Sequence, residues 1–338
     1  MTTRKSVHVL FTGGTISMRI DPETGAAVPS LSGEEIVSRV QGLRREAKLT
    51  LDDYARLPGP HVTPHWMWRL RGRVSSVLQE PAVDAVVLTH GTDTLEETAF
   101  LLDLTLDSPK PVVFCGAMRT VSEPGWDGPA NLMAAVRTAV HPEARGRGVL
   151  VAVGEEIHAA AEVRKWHTQS LLAFKSSRGP IGILDRGQVR FHRPPHHAPC
   201  LEPRRLVTEV DLHVMATGVD DALIRASLDR GTRGLVIEAT GCGNVPPSVL
   251  PGLRAALAAR VPVVVVSRCG EGRVGPAYGY EGGGRMLQEM GLILGGDLPG
   301  PKARIKLMVA LGVTTEPSEL RRLFEGADPP SEPQSPSR

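Results

Sequence analysis

Long apolar runs, blocks of basic residues and cysteine are all scarce in this sequence. No stretch is long enough to span a membrane, and residues 1–6 lack the apolar segment and cleavage site of a signal peptide, so we expect a cytoplasmic protein without a membrane partner. Basic and acidic side chains nearly balance, at 39 and 37, and form no basic stripe, which argues against a nucleic-acid partner. The composition therefore favours a small molecule as the partner.

The cysteines predict neither a disulfide framework nor a metal site. All four are scattered along the chain without a C-x-x-C pair. Four possible ligands, His192, His196, His197 and Cys200, lie close together in sequence, but a proline-rich loop imposes no ligand geometry and no second Cys/His pair accompanies them. We predict no metal and no cofactor.

Alternating strand and helix patterns predict the fold class. Apolar strands are expected at residues 7–11, 83–88, 111–115, 148–153, 234–239 and 261–266, and helices at 95–102, 131–136 and 249–257. Such alternation is typical of a doubly wound, mostly parallel α/β sheet. At 338 residues the chain is long enough for two such domains, a larger N-terminal one and a smaller, Rossmann-like one.

The domain boundaries follow from composition. We predict an N-terminal α/β domain at residues 1–190 and a C-terminal α/β domain at 206–325. Residues 191–205 are rich in proline and histidine and are predicted to be a linker. The last segment, 326–338, is rich in proline and serine with almost no apolar content and is predicted to be disordered.

Two loops rich in glycine and threonine follow predicted strands. The first is Thr12-Gly13-Gly14-Thr15, and the second runs from His90 to Thr98 into a predicted helix. The first loop lacks the Gly-Lys-Ser/Thr ending of a nucleotide P-loop and the third glycine of a dinucleotide site. Since ligands bind at the carboxyl edge of an open α/β sheet, we expect the two loops to form an active site.

Both loops resemble those of the bacterial-type L-asparaginase/glutaminase family, which includes asparaginase types I and II. Further segments match the family in the same order, at residues 116–119, 127–132, 174–176 and 301–304. The matches extend over nearly all of the chain before its last segment. The resemblance implies an amidohydrolase that converts an amino-acid amide, L-asparagine, to L-aspartate and ammonia.

The resemblance also implies which residues carry the chemistry. In that family a threonine hydroxyl attacks the side-chain amide, and the matching nucleophile is Thr15, on which the acyl-enzyme ester would form. The proton-handling residues correspond to Thr92, Asp93 and Lys165, and Lys165 has the family's spacing from Ser176. A lysine accepts a proton only in its neutral form, which burial and a hydroxyl partner favour.

Substrate contacts are implied by the same resemblance. The amides of Thr15 and Thr92 would form an oxyanion hole, while Gly14 and Gly91 let the backbone approach the substrate. Ala117 would contact the leaving amide through its main chain. Asp93 would face the substrate's α-ammonium group.

Two residues of the second domain resemble those that the family donates to the site of a neighbouring subunit. Asn244 is the better match and Glu281 the weaker one. A plainer interpretation of Asn244 is a glycine turn with the asparagine in a left-handed conformation. The resemblance implies a homodimer or a homotetramer.

The chain departs from the family pattern at two places. The family has a catalytic tyrosine on a mobile lid, and the matching position here is Ala27; the first tyrosine of the chain is Tyr54. Gly59 stands where the family has a serine that binds the substrate α-carboxylate, and His61 replaces the usual acidic residue. These departures affect the identity of the substrate more than the reaction class.

Each site residue also has a plainer structural interpretation. Thr15 could cap a turn, Thr92 and Asp93 could cap the helix that follows them, and Lys165 could be a solvated charge on a helix. Capping does not account for two threonine loops together with a lysine at the family's spacing. We interpret His90 as a residue that hydrogen-bonds the loop backbone.

Three other functions remain open at this stage. A glutaminase would share the chemistry. The ammonia-releasing subunit of a tRNA-dependent amidotransferase shares this domain, but its members usually carry a small β-domain before the first loop, where this chain has only residues 1–11. A non-catalytic amino-acid-binding protein would explain the missing lid tyrosine.

Overall fold

A computed structural model describes residues 4–196 and 199–325 of the chain. The predicted disordered segment, 326–338, lies outside the described residues. The chain divides into two compact units, residues 1–200 and 201–338, each with its own sheet.

The first unit contains an eight-stranded sheet, two small two-stranded sheets and five α-helices among its described residues. Its strands are β1 Ser6–Phe11, β2 Met18–Ile20, β3 Ala27–Pro29, β4 Lys48–Asp52, β5 Ala85–Thr89, β6 Val112–Cys115, β7 Val149–Val153, β8 Glu156–Ala159, β9 Val163–Lys165, β10 Phe174–Ser176, β11 Gly182–Asp185 and β12 Gln188–Phe191. Its helices are α1 Gly33–Ser38, α2 Leu43–Glu46, α3 Pro64–Gln79, α4 Leu95–Thr105 and α5 Gly128–Val140.

The order of the large sheet is β12-β11-β8-β7-β6-β5-β1-β4. Strands β4, β1, β5, β6 and β7 are parallel, which confirms the mostly parallel sheet predicted from the sequence. Strands β5, β6 and β7 are buried along their whole length, as continuous β-branched runs covered by helices on both faces are. The antiparallel edge of β8, β11 and β12 was not predicted.

The strand order changes direction at β1. The chain goes from β1 to β4 on one side and then to β5 on the other, so the topological switch point lies between β1 and β5. Their last residues, Phe11 and Thr89, are paired in register. The two glycine- and threonine-rich loops therefore leave the sheet side by side, at the place where open α/β sheets bind ligands.

The second unit is a four-stranded parallel sheet in the order β13-β14-β15-β16. Its strands are β13 Val210–Val214, β14 Gly234–Ala239, β15 Val263–Ser267 and β16 Ile293–Leu294, and its helices are α6 Ala222–Asp229, α7 Leu250–Ala258, α8 Gly284–Glu289, α9 Gly300–Val313 and α10 Pro317–Glu325. The smaller α/β domain predicted from the sequence is confirmed.

The predicted elements differ from the observed ones mainly at their ends. The strand predicted at 261–266 is observed at Val263–Ser267, and the helix predicted at 131–136 extends over Gly128–Val140. Strand β12 includes Phe191, which the composition had placed in the linker. No helix in the described ranges is long and apolar enough to cross a membrane.

Candidate active site

The first loop holds Thr15 at the end of β1. Thr12 anchors the loop to the neighbouring strand, because its hydroxyl donates to the Thr89 carbonyl oxygen at 2.7 Å. Gly14 has a φ of +81°, and the chain then enters a short 3₁₀ turn that begins at Thr15. Within residues 4–196 and 199–325 we find no hydrogen-bond partner for the Thr15 hydroxyl.

Three glycine backbones pack directly against one another and bring the loops together. A Cβ atom on Gly14 would lie 2.4 Å from the Gly91 Cα, and one on Gly91 would lie 2.8 Å from the Gly59 Cα. Real Cβ contacts are not this short, so any side chain here would separate the loops. The three glycines thus set the spacing between Thr15 on one loop and Asp93 on the other.

His90 supports the second loop from the protein interior. Its ring is fully buried between the rings of Trp66 and Phe114, with centroids 5.9 Å away in each case. Burial lowers the pKa of His90 from 6.5 to about 4, so the imidazole is neutral near pH 7. A neutral His90 can orient the loop but carries no charge into the site.

The hydrogen bonds of His90 fix its tautomer and the direction of a peptide group. Its Nδ1 donates to the Gly91 carbonyl oxygen at 2.8 Å, and its Nε2 lies 3.0 Å from the Thr98 hydroxyl, which we assign as the donor. Because the C=O and N–H of a trans peptide point in opposite directions, this contact turns the Thr92 N–H away from His90. The interpretation of His90 as a residue that bonds the loop backbone is confirmed.

Lys165 joins the two predicted proton-handling residues. Its Nζ donates to the Thr92 hydroxyl oxygen at 2.9 Å and to Oδ1 of Asp93 at 2.7 Å. The Lys165 and Thr92 side chains are largely buried, whereas the Asp93 side chain is 57% exposed. The structure thus brings Thr92, Asp93 and Lys165 together, as the resemblance implied, and adds a direct ion pair between Asp93 and Lys165.

Two plainer interpretations are wrong. The residue that precedes α4 is Thr94, so neither Thr92 nor Asp93 is its N-cap, and the Thr94 hydroxyl donates to the Gly59 carbonyl oxygen at 2.9 Å. Lys165 is the last residue of β9, not a charge on a helix. Sequence periodicity could not distinguish a three-residue strand from a helical turn.

The loop that carries Ala117 is held by two polar residues of α5 and its start. The Asp127 carboxylate accepts hydrogen bonds from the amides of Met118, at 2.9 Å, and Arg119, at 3.0 Å. Asn131 donates to the Gly116 carbonyl oxygen at 2.9 Å and to Asp127 at 3.0 Å. The family segments at 116–119 and 127–132 therefore form one unit that fixes the main chain around Ala117.

The lid position of the family is part of a β-hairpin here. Ala27 lies on β3 and pairs with Ile20 of β2, and both side chains are exposed. The Asp21 carboxylate stabilises the turn by accepting hydrogen bonds from the amides of Glu23, at 3.0 Å, and Thr24, at 2.8 Å. At the position that the resemblance assigns to the lid tyrosine, the hairpin therefore presents the methyl group of Ala27.

Of the four cysteines, all within the described ranges, Cys115 is buried, Cys200 and Cys269 are exposed and Cys242 is half-buried. Cys115 ends β6, and its carbonyl oxygen accepts a hydrogen bond from the His90 amide at 2.9 Å. Burial raises the pKa of the Cys115 thiol to about 12, which keeps it protonated. A protonated, enclosed thiol is not a competing nucleophile.

Asn244 and Glu281 belong to the second unit. The turn before Asn244 has left-handed glycines at 241 and 243, with φ of +52° and +109°, and Asn244 itself does not have a positive φ, so its left-handed interpretation is wrong. Its Oδ1 accepts a hydrogen bond from the Gly284 amide at 3.3 Å. Glu281 is exposed.

Metal ligands are not grouped in the part of the chain that the structure describes. No three His, Cys, Asp or Glu side chains among those residues are placed to hold a metal ion. Of the four possible ligands considered from the sequence, His197 lies outside the described residues.

Family models match both units of the chain. The asparaginase N-terminal domain family matches residues 6–197, and the glutaminase/asparaginase C-terminal domain family matches residues 209–324. The chain belongs to the asparaginase family. It is an asparaginase-type amidohydrolase with the two-domain α/β fold of that family.

Individual relatives span almost the whole chain. A probable L-asparaginase of Deinococcus radiodurans is 39% identical over 94% of this chain and 96% of the relative. A glutamyl-tRNA(Gln) amidotransferase chain of Methanosarcina mazei is 32% identical over 92% of this chain and 75% of the relative. The crystal structure of a probable cytoplasmic L-asparaginase from Campylobacter jejuni has a TM-score of 0.87 and 31% identity, over 95% of this chain and 99% of that one.

Proposed function

We propose that this asparaginase-family protein hydrolyses the side-chain amide of L-asparagine through an ester on Thr15. The observation that carries the proposal is the position of the Lys165 amine, which is within hydrogen-bond distance of both Thr92 and Asp93. The glycine contacts between the loops support it further, because the loop that carries Thr92 and Asp93 packs against the loop that carries Thr15.

In the first half of the proposed reaction, the Thr15 oxygen attacks the amide carbon while its proton is transferred toward the leaving nitrogen. The C–N bond breaks, ammonia leaves and the aspartyl group remains as an ester on Thr15. Water then attacks the ester carbon, the C–O bond breaks, and L-aspartate and the free hydroxyl are regenerated. Lys165 and Thr92 would carry the proton, and the amides of Thr15 and Thr92 would stabilise the oxyanion.

Substrate recognition is proposed to rest on backbone groups more than in most of the family. Gly59 supplies an amide but no hydroxyl for the α-carboxylate. Asp93 would share its carboxylate between Lys165 and the substrate's α-ammonium group, which its exposure permits. The proposal commits to L-asparagine, and glutamine is an outcome of the test.

We also propose an oligomeric state and a location for the whole protein. One is a homodimer or homotetramer in which Asn244 and Glu281 reach the site of a neighbouring subunit. The other is a cytoplasmic location, which is supported by the likeness to the Campylobacter jejuni protein that is named as cytoplasmic.

Ammonia release tests the proposed function. Purified protein is supplied with L-asparagine, L-glutamine or D-asparagine, beside the variants Thr15→Ala and Thr15→Ser. We expect release from L-asparagine that disappears in Thr15→Ala and is partly kept in Thr15→Ser, which retains a hydroxyl. Equal release from wild type and Thr15→Ala would overturn the acyl-enzyme. No release from any amide would instead favour the amino-acid-binding protein.

A further inference from the structure

Lys165 lies on a hairpin that forms a two-stranded sheet of its own. Strands β9 and β10 pair only with each other in the described sheets, so no strand pairing joins the hairpin to the large sheet. The Trp166 amide donates to the Ala173 carbonyl oxygen, at 2.6 Å, toward β10. Since successive amides of a strand point to opposite sides, the Lys165 amide points away from β10. The Lys165 amide therefore needs a hydrogen-bond acceptor from outside this two-stranded sheet.

Glu96 provides that partner. Its Oε2 accepts a hydrogen bond from the backbone amide of Lys165. Glu96 lies in the first turn of α4 and is only 8% exposed. Burying a carboxylate is costly unless it is hydrogen-bonded, and within the described ranges this amide is the one hydrogen-bond partner seen for it. The Glu96 carboxylate therefore binds the backbone amide of Lys165.

The geometry connects both ends of the lysine to one segment. Thr92 and Asp93 hold the Lys165 amine, and Glu96, one helical turn further along, holds the Lys165 backbone. A lysine side chain is long and flexible, so the place of its amine depends on where its Cα is fixed. We propose that Glu96 is the positioning residue for Lys165 in catalysis.

This role rests on the proposed function, because it assumes that Lys165 handles the proton. A positioning role needs an acceptor of the right length, and it does not need a charge. An electrostatic role would need the charge, and would tolerate a shorter side chain. Glu96→Gln keeps length and an acceptor oxygen without the charge, whereas Glu96→Asp keeps the charge but is one methylene too short.

The test compares these two variants by ammonia release, with Glu97→Gln as a control in the same helical turn. We expect Glu96→Gln and Glu97→Gln to keep kcat within about 3-fold of wild type. In Glu96→Asp kcat should fall about 30-fold or more with KM within about 3-fold, since a misplacement of about 1 Å can cost on the order of 100-fold in rate. The pH profile of kcat should be unchanged in Glu96→Gln. A large loss in Glu96→Gln, or full activity in Glu96→Asp, would overturn the proposal.

A second readout does not depend on activity. Hydrogen exchange at the Lys165 amide should be slow in wild type and Glu96→Gln and faster by an order of magnitude or more in Glu96→Asp, because only the first two retain the acceptor. Equal exchange in all three proteins would show that Glu96 does not hold this backbone. If wild type releases no ammonia but the exchange pattern is as expected, the proposed reaction is wrong and the contact stands.

Discussion

His90 and Lys165 both contact the second loop or its residues, but their surroundings give them different roles. His90 is enclosed by aromatic rings and stays neutral, so its contribution is the direction of the Gly91–Thr92 peptide. Lys165 is held by one hydroxyl and one carboxylate, which fix the position of its amine, and the proposed mechanism uses this amine to carry a proton. The contacts thus distinguish a neutral residue that orients the backbone from a lysine whose amine is fixed between two polar groups.

The lowered pKa of His90 predicts a pH dependence of stability. The unfolded chain binds a proton at this residue near pH 6.5, whereas the folded chain binds it only near pH 4. The contribution of His90 to the free energy of unfolding is therefore fully present above pH 6.5. It is lost as the pH falls toward 4, by about 3 kcal/mol in total. Denaturant unfolding of wild type and His90→Gln between pH 4 and 7 should show a weaker pH slope in the variant. His61→Gln, at an exposed histidine, should keep the wild-type slope; the same slope in all three proteins would contradict the assignment.

Removal of the Lys165 amine should abolish most of the activity. Because proton transfer by a positioned side chain contributes about 100- to 10,000-fold, kcat of Lys165→Met should fall within that range. Lys175 lies on the paired strand, opposite Arg164, and its side chain is exposed, so Lys175→Met is the matched control and should keep wild-type kcat. Full activity in Lys165→Met would remove this lysine from the mechanism.

At the scale of elements, the site depends on how closely three loops approach. Gly91→Ala should lower both stability and kcat, because its new Cβ would lie 2.8 Å from the Gly59 Cα. The loss of stability should be about 1–3 kcal/mol, as for overpacking. Gly72→Ala, in α3 with open space around the new Cβ, should instead stabilise the protein by about 0.5–1 kcal/mol. Thermal unfolding and ammonia release measure both effects, and equal behaviour of the two variants would disprove the glycine contact.

The start of α5 is the second element on which the site depends. Asp127→Ala removes the acceptor for two backbone amides and leaves them unpaired in a half-buried loop. The free energy of unfolding should therefore fall by about 2 kcal/mol. Because this loop carries Ala117, KM for the amide substrate should rise as well. Asp127→Asn keeps one acceptor oxygen and should lie between wild type and Asp127→Ala in both measurements. An unchanged KM in Asp127→Ala would separate this loop from substrate binding.

At the scale of the whole molecule, the proposed shared site predicts complementation. Thr15→Ala and Asn244→Ala should each be inactive alone if each active site combines Thr15 of one subunit with Asn244 of another. Mixed after unfolding and refolding together in equal amounts, the two variants should recover about a quarter of wild-type activity, since half of the dimers are mixed and each of these has one intact site. No recovery would mean that every site is built from one chain.

The sequence predicted the fold class from patterns that act locally, whereas the roles of the site residues follow from the resemblance to the family and stay predictions. Buried strands such as residues 85–89 are continuous apolar runs, and the glycine loops after them carry their composition in a few consecutive positions. The short strands β8 to β12 were not predicted, because elements of three or four residues have too few positions to show a period. Glu96 was not singled out as a functional residue, since in sequence a glutamate in the first turn of a helix has an ordinary explanation.

By itself, the sequence determined the two-domain α/β architecture and the two loops at the sheet edge. That Ala27 and Gly59 replace a tyrosine and a serine of the family stays a prediction from the resemblance. Only the tertiary structure decided which groups meet, namely Asp93 with Lys165 and Glu96 with the backbone amide of Lys165. It also decided the neutral state of His90, which follows from burial. Local patterns follow from the period and conformational preferences of neighbouring residues. Contacts between positions about 70 apart depend on the exact register of the sheet and on burial, which exist only once the chain has folded.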